Sequence, residues 1–177
     1  LLVEDHFNPE VGFLRRDNFR RTFASGRFSP RPASLASVRQ FVFDASIDYF
    51  LTADTGRLET RESIVGFQTE LENSDQVGVS LRDSYERLHE PFSPGGHLSI
   101  PVGGYAFRDA QLSYALGPQR RFAGRVVLTV GGYFDGDITS LDLRRGRVEV
   151  IQRLSIEPSF SFNWINLPAG SLRTDLA

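Results

Sequence analysis

The sequence predicts an all-β chain, an antiparallel up-and-down meander of about eight long strands. Apolar and polar residues alternate with period two over long stretches, as strand side chains that point to opposite faces must. Short clusters of turn-forming residues separate these stretches. Within the stretches β-branched and aromatic residues abound, helped by 15 Phe and 5 Tyr in 177 residues.

Residues 1–17 read as loop-like and residues 18–28 as a strand of weak alternation. Residues 39–52 show the alternation well: Phe41, Phe43, Ala45, Ile47, Tyr49 and Leu51 share a fully apolar face, and Gln40, Val42, Asp44, Ser46, Asp48, Phe50 and Thr52 a mostly polar one. A helix would scatter these residues around its surface. Residues 57–72 set Val65, Phe67, Thr69 and Leu71 against Glu62, Gln68, Glu70 and Glu72, and residues 76–86 set Val77, Val79, Leu81 and Tyr85 against Gln76, Ser80, Arg82, Ser84 and Glu86.

The segment 87–104 holds Pro91, Pro94, Gly95, Gly96, Pro101, Gly103 and Gly104, and is expected to be an irregular long loop. Strands resume at 105–116 (Ala110, Leu112, Tyr114 and Leu116 against Gln111 and Ser113) and at 120–134 (Phe122, Val126, Leu128, Val130 and Phe134 against Arg121, Arg125 and Thr129). In 138–151 the apolar parity changes between Leu141, Leu143 and Val148, Val150, which predicts a bulge near Gly146, because one extra residue swaps the faces. Residues 154–166 place Leu154, Ile156, Phe160, Phe162 and Trp164 opposite Glu157, Ser159, Ser161 and Asn163, and 172–177 read as a further strand beginning. Turns are expected at 54–56, 73–75, 117–119 and 135–137. A three-residue turn at 73–75 would set Glu72 opposite Gln76, and hence Glu62 opposite Glu86.

The strands are longer than the 5–6 residues usual in globular sheets and match the ~9–11 tilted residues that cross a bilayer. Tight turns fall at one end and the long loop at the other, as in outer-membrane barrels, except that the link 29–37 falls on the tight-turn side and is too long for the rule. Tyr49, Tyr85, Tyr105, Tyr133, Phe134 and Trp164 lie near strand ends, where an interfacial girdle would sit. The favoured reading is therefore part of an outer-membrane β-barrel in contact with a lipid bilayer, ahead of a soluble β-sandwich binding module. No stretch approaches the ~18 apolar residues of a membrane-spanning helix.

Composition narrows the chemistry. There is no Cys, so no disulfide, thiolate nucleophile or Cys-ligated metal. All 20 basic residues are Arg, the net charge is −2, and no basic footprint for nucleic acid exists. The absence of any Met suggests a fragment or processed piece.

Several segments carry a family resemblance: Phe-Asn-Pro-Glu-Val-Gly-Phe at 7–13, Arg-Phe-Ser-Pro-Arg-Pro at 27–32, Ile-Pro-Val-Gly-Gly-Tyr at 100–105, and the longer stretches 101–124 and 131–170. Over most of its length the chain resembles the uncharacterised barrel region of bacterial proteins that carry a family-9-like carbohydrate-binding domain ahead of it. The resemblance implies an outer-membrane location and a carbohydrate partner bound through that preceding module. It implies no reaction, cofactor or catalytic residue.

The residues themselves offer few reactive constellations. His89 and His97 share the long loop with Glu86 and Glu90, without the converging spacing of a zinc site, and a polar loop is the plainer reading. Asp135-Gly136-Asp137 has too few acids for a calcium loop and reads as a hairpin turn. There is no Gly-x-Ser-x-Gly for a hydrolase. Carboxylate pairs such as Asp44 with Asp48, or Glu62 with Glu86, are the arrangement a membrane-embedded glycan hydrolase would need. The expectation preferred here is an interior ion-pair network in a barrel lumen, of Asp44, Asp48, Glu62, Glu70, Glu86 and Glu157 with Arg82, Arg121, Arg125 and Arg144. No metal site, cofactor or catalytic residue is assigned.

Overall fold

The structure is a computed structural model that describes residues 1–3, 18–95, 98–151 and 154–176. Its strands are β1 (Leu2–Val3), β2 (Phe19–Phe28), β3 (Val38–Thr52), β4 (Leu58–Leu71), β5 (Gln76–Leu88), β6 (Phe92–Gly95), β7 (Leu98–Ile100), β8 (Gly103–Leu116), β9 (Phe122–Tyr133), β10 (Gly136–Ile151), β11 (Leu154–Ile156), β12 (Phe160–Leu167) and β13 (Gly170–Leu176). No helix occurs among the described residues. One antiparallel sheet runs β1-β2-β3-β4-β5-β8-β9-β10-β12-β13, with β11 beside β10, while β6 and β7 form a separate hairpin. The order is the predicted meander. Its first and last strands do not pair with each other among the described residues, so the described sheet is open.

Register explains why the faces differ. Phe28, Phe43, Phe67, Val79, Leu112, Leu128, Leu141 and Phe162 are successive cross-strand partners, forming one apolar row over β2, β3, β4, β5, β8, β9, β10 and β12. The next row towards the turn end reads Phe41, Thr69, Val77, Tyr114, Val126, Leu143 and Phe160. Aromatic contacts knit these rows: Phe43 and Phe67 lie 5.0 Å apart, and Phe160 and Phe162 5.3 Å apart. On the other face the partners are Asp44, Gly66, Ser80, Gln111, Thr129, Ser140 and Asn163.

Burial shows which face is concave. Leu81 is 61% and Val65 62% exposed on the apolar face, while Val42, Val127, Ser140 and Asp142 are buried on the polar one. No second sheet or helix covers the apolar face among the described residues, against the sandwich reading. The sheet curls with its polar side inward, and the core is small. Leu98 and Ile100 of β7 pack on Ile165 and Leu167 of β12, with Leu88, Tyr105, Tyr133, Phe134, Ile138 and Leu172 around them. Strands sit ~4.8 Å apart. One short hairpin therefore touches residues from β5 to β13 only because the sheet wraps around it.

Several details depart from the sequence reading. The long loop is not irregular: β6 and β7 fold into it as an inward plug, driven by the apolar alternation of Leu98 and Ile100 around Ser99. Tyr105, Tyr133 and Phe134 pack beneath this plug, so of the expected girdle only Tyr49, Tyr85 and Trp164 share the parity of the outer face. Leu2 and Val3, within the stretch read as a loop, pair with Arg20 and Phe19, while residues 4–17 lie outside the described residues. The strand read over 154–166 is interrupted at Glu157-Pro158-Ser159, where Pro158 has no N–H to give to the ladder. The turn placed at 135–137 is instead Phe134-Asp135, with Gly136 already opposite Tyr133. Phe134 takes φ of 54°, costly for a bulky residue, and is held there by the rings of Phe92, Tyr105, Phe107 and Tyr133.

The bulge appears where parity placed it. Arg144 pairs with Arg125 and Arg147 with Ala123, so one extra residue enters β10 between them. Arg145 adopts φ of 53°, and Gly146 lies against the Pro158 carbonyl with no room for a side chain. Leu143 and Val148 consequently point to the same side despite opposite parity.

Candidate functional site

Among the described residues, two of the depressions on the concave face bear on a site. The larger of these two is a cavity of about 440 Å³ between the β6–β7 plug and the strand ends near it. Phe92, Phe107, Tyr133 and Phe134 give it apolar walls. Its charged side chains come from β4, β5 and β8 because Glu62, Arg82, Glu86 and Asp109 all share the inward parity. Arg82 lies directly opposite Asp109 in the ladder, and its Nε is 3.7 Å from Asp109 Oδ2. Arg82 Nη1 is 3.9 Å from Glu62 Oε2. Both separations are ion-pair distances beyond hydrogen-bond reach. Asp109 has an 8% exposed side chain, and its Oδ1 is buried with no hydrogen-bond partner among the described residues.

The smaller depression, about 230 Å³, is floored by Gly66, Gly78 and Ser80 and walled by Asp44, Arg125 and Arg144. A Cβ at Gly66 would lie 2.7 Å from Asp44 Oδ2, so a side chain there would have to displace the Asp44 carboxylate. Arg125 donates to Gln76 Oε1 at 2.8 Å and to Ser113 Oγ at 3.4 Å.

The ten residues expected to form one lumen network are thus divided. Asp48 is held by Arg21 through a two-pronged contact of 2.8 and 2.6 Å, and Glu70 by Arg39 at 2.9 Å. Glu62 meets Arg82, as expected, and Arg144 meets Asp142 at 3.4 Å. Asp44 and Glu86 have no basic group within ion-pair distance among the described residues, and Arg121 and Arg125 have no acid within that distance. Arg121 is exposed at the entrance to β9, and Glu157 is exposed in the break between β11 and β12, off the inner face. Separate contacts replace the single network: Arg21, Arg39 and Arg82 reach acids on adjacent strands, while Arg144 meets the acid two residues before it on its own strand.

Glu62 does not face Glu86. Glu70 pairs with Gln76, so Glu62 is opposite Ser84 and Glu86 opposite Thr60. The register moves by two because Leu71 and Asp75 close the turn, Leu71 N–H donating to the Asp75 carbonyl at 2.9 Å. Glu62 and Glu86 are therefore not cross-strand partners, although both line the larger cavity, and Asp48 is committed to Arg21. His89 lies 2.6 Å from Glu59, while His97 falls outside the described residues. No group of metal-ligating residues converges among the described residues.

Sequence reasoning missed an ion cluster on the opposite face. Arg61 Nη2 contacts Asp83 Oδ1 at 2.6 Å, and Arg108 Nε contacts Asp83 Oδ2 at 2.6 Å. Their parity matches Val65, Leu81 and Ala110, so the cluster caps the apolar band at the plug end of β4, β5 and β8. It missed Asp109 too, although that residue shares parity with Gln111 and Ser113. Comparison with protein-family models, curated proteins and solved structures finds no match to this chain.

Proposed function

We propose that this chain forms part of the wall of a bacterial outer-membrane β-barrel, serving as a passage or as the membrane anchor of a carbohydrate-binding protein. One observation carries the reading: an apolar row that runs unbroken across eight strands on a convex face on which nothing packs among the described residues. Contiguous exposed apolar surface of that extent belongs against lipid or a partner. On β3 the apolar face runs from Phe41 to Leu51, which at ~3.4 Å per residue and a tilt of ~40° approaches the ~25 Å height of an outer-membrane apolar band. Aromatic Tyr49, Tyr85 and Trp164 lie at its plug end, with Tyr114 and Phe122 towards the other end. The polar concave face is what a lumen requires, and the carbohydrate partner follows from the family resemblance alone.

Trp164 is the single Trp, and it lies on the convex face with 38% of its surface exposed. The protein reconstituted in vesicles of brominated phosphatidylcholine should show Trp164 fluorescence strongly quenched. A variant with Trp164→Phe and Thr129→Trp, which moves the indole to the concave face, should be quenched far less. Protein that stays in the aqueous phase, or equal quenching at both positions, would overturn the proposal.

A further inference from the structure

We infer that the 440 Å³ cavity beneath the β6–β7 plug binds an organic cation, an ammonium group on an apolar body, with Asp109 as its principal charge partner. The inference goes beyond the membrane reading and does not need it, because the cavity lies on the concave face.

The charges point this way first. Glu62, Glu86 and Asp109 line the cavity, and Arg82 is the cation directed at them. Arg61 also borders it, with Nη2 on Asp83 at 2.6 Å and Nε buried without a hydrogen-bond partner among the described residues. Three acids therefore face two bases, one of them already paired with Asp83. Asp109 is the sharpest case. Its Oδ1 has no partner among the described residues, and Arg82 stands too far from Oδ2 for a hydrogen bond. A buried carboxylate left in that state is costly, and an added donor cation relieves it.

The walls select the kind of cation. Phe107 and Phe134 have ring centroids 5.3 Å apart, Tyr133 meets Phe134 edge-on at 4.9 Å, and Phe92 closes the group from the plug at 5.7 Å. Aromatic faces attract a desolvated cation and shield its apolar substituents. A metal ion would instead need several converging oxygens, and no such group exists among the described residues. A neutral sugar would leave the excess negative charge in place. The volume falls in the range of small-molecule sites.

The test is saturation-transfer NMR and calorimetry on the folded protein in detergent, with benzylammonium as probe and benzyl alcohol and benzoate as neutral and anionic counterparts. The cation should bind saturably, while benzyl alcohol and benzoate bind far more weakly or not at all. Asp109→Asn, which keeps the shape and removes the charge, should weaken the cation about tenfold or more. Asp142→Asn, at a buried acid outside the cavity, should leave binding unchanged. Phe107→Leu gives an independent second variant and should also weaken it. Equal binding of benzyl alcohol, calcium displacing the probe stoichiometrically, or cation binding untouched by both Asp109→Asn and Phe107→Leu would each overturn the inference. Trp164 quenching by brominated lipid reads the membrane proposal separately, so the two can fail independently.

Discussion

The Asp75 carboxylate accepts the backbone N–H of Gly117 at 2.8 Å, joining two neighbouring turns at the end of the sheet opposite the plug. Tyr114 Oη donates to it at 2.9 Å, Arg120 Nη2 at 2.7 Å and Asn73 Nδ2 at 3.1 Å. The Gly117 N–H above all, then Tyr114, Arg120 and Asn73, hold this carboxyl below its ordinary value of 3.8. A carboxyl depressed in the folded state stabilises the fold above its unfolded pKa, and that contribution disappears as pH falls through the folded value. Asp75→Asn should lower the urea midpoint at pH 7. The gap between variant and wild type should begin to narrow below about pH 4, where the unfolded chain's Asp75 protonates, and close once the folded carboxyl protonates at its lower value. A gap independent of pH down to 2 would deny the staple its charge.

The convex face should reject charge by depth. Leu128→Arg or Phe43→Arg should destabilise the protein in a bilayer by about 2–4 kcal/mol. Ser80→Arg, beside Asp44, and Ser161→Arg, opposite Asp142, should be tolerated better because each new cation meets an acid or water. Urea titrations in lipid vesicles measure all four.

At the bulge, Gly146→Val should cost about 1–3 kcal/mol, because any Cβ there meets the Pro158 carbonyl. Deleting Gly146 should cost less, since it removes the one extra residue and leaves Arg147 opposite Ala123 and Val148 opposite Phe122 on their present faces. Thermal midpoints by circular dichroism separate the two.

Asp83→Leu should destabilise the protein, leaving Arg61 and Arg108 on an apolar face without their shared acid. Replacing all three by Leu should recover most of that loss, since an ion cluster and a packed apolar patch are often close in free energy. A triple variant weaker than Asp83→Leu alone would contradict this.

Most of the architecture was legible because one physical rule, period-two alternation, governs nearly every strand. Phe43, Phe67, Leu112, Leu128 and Phe162 were assigned to one face by parity and lie in one row. The same rule located the bulge at Gly146 from the change of phase between Leu143 and Val148. Register across the 73–75 turn was not legible, because Asp75 spends its side chain on the next turn and its carbonyl on Leu71, which no local pattern reveals. The plug escaped notice because β6 and β7 are only 4 and 3 residues long amid Pro and Gly. The Arg61–Asp83–Arg108 cluster was within reach, as its parity places it beside Val65, Leu81 and Ala110. It was passed over because charge was expected only inside.

The plug also sets an order of events. From β3 to β5 and from β8 to β10, each strand pairs with the one before it across a few residues of turn, contacts that form early because little loop entropy opposes them. Leu98 and Ile100 must instead wait for Ile165 and Leu167, which are synthesised only after β8, β9, β10 and β11. The hairpin beneath which the cavity forms is thus the last piece to seat. Until then Ile100, 1% exposed once folded, is open to water, and a chaperone or protease that reads exposed apolar segments would meet the plug after the sheet around it has already zipped.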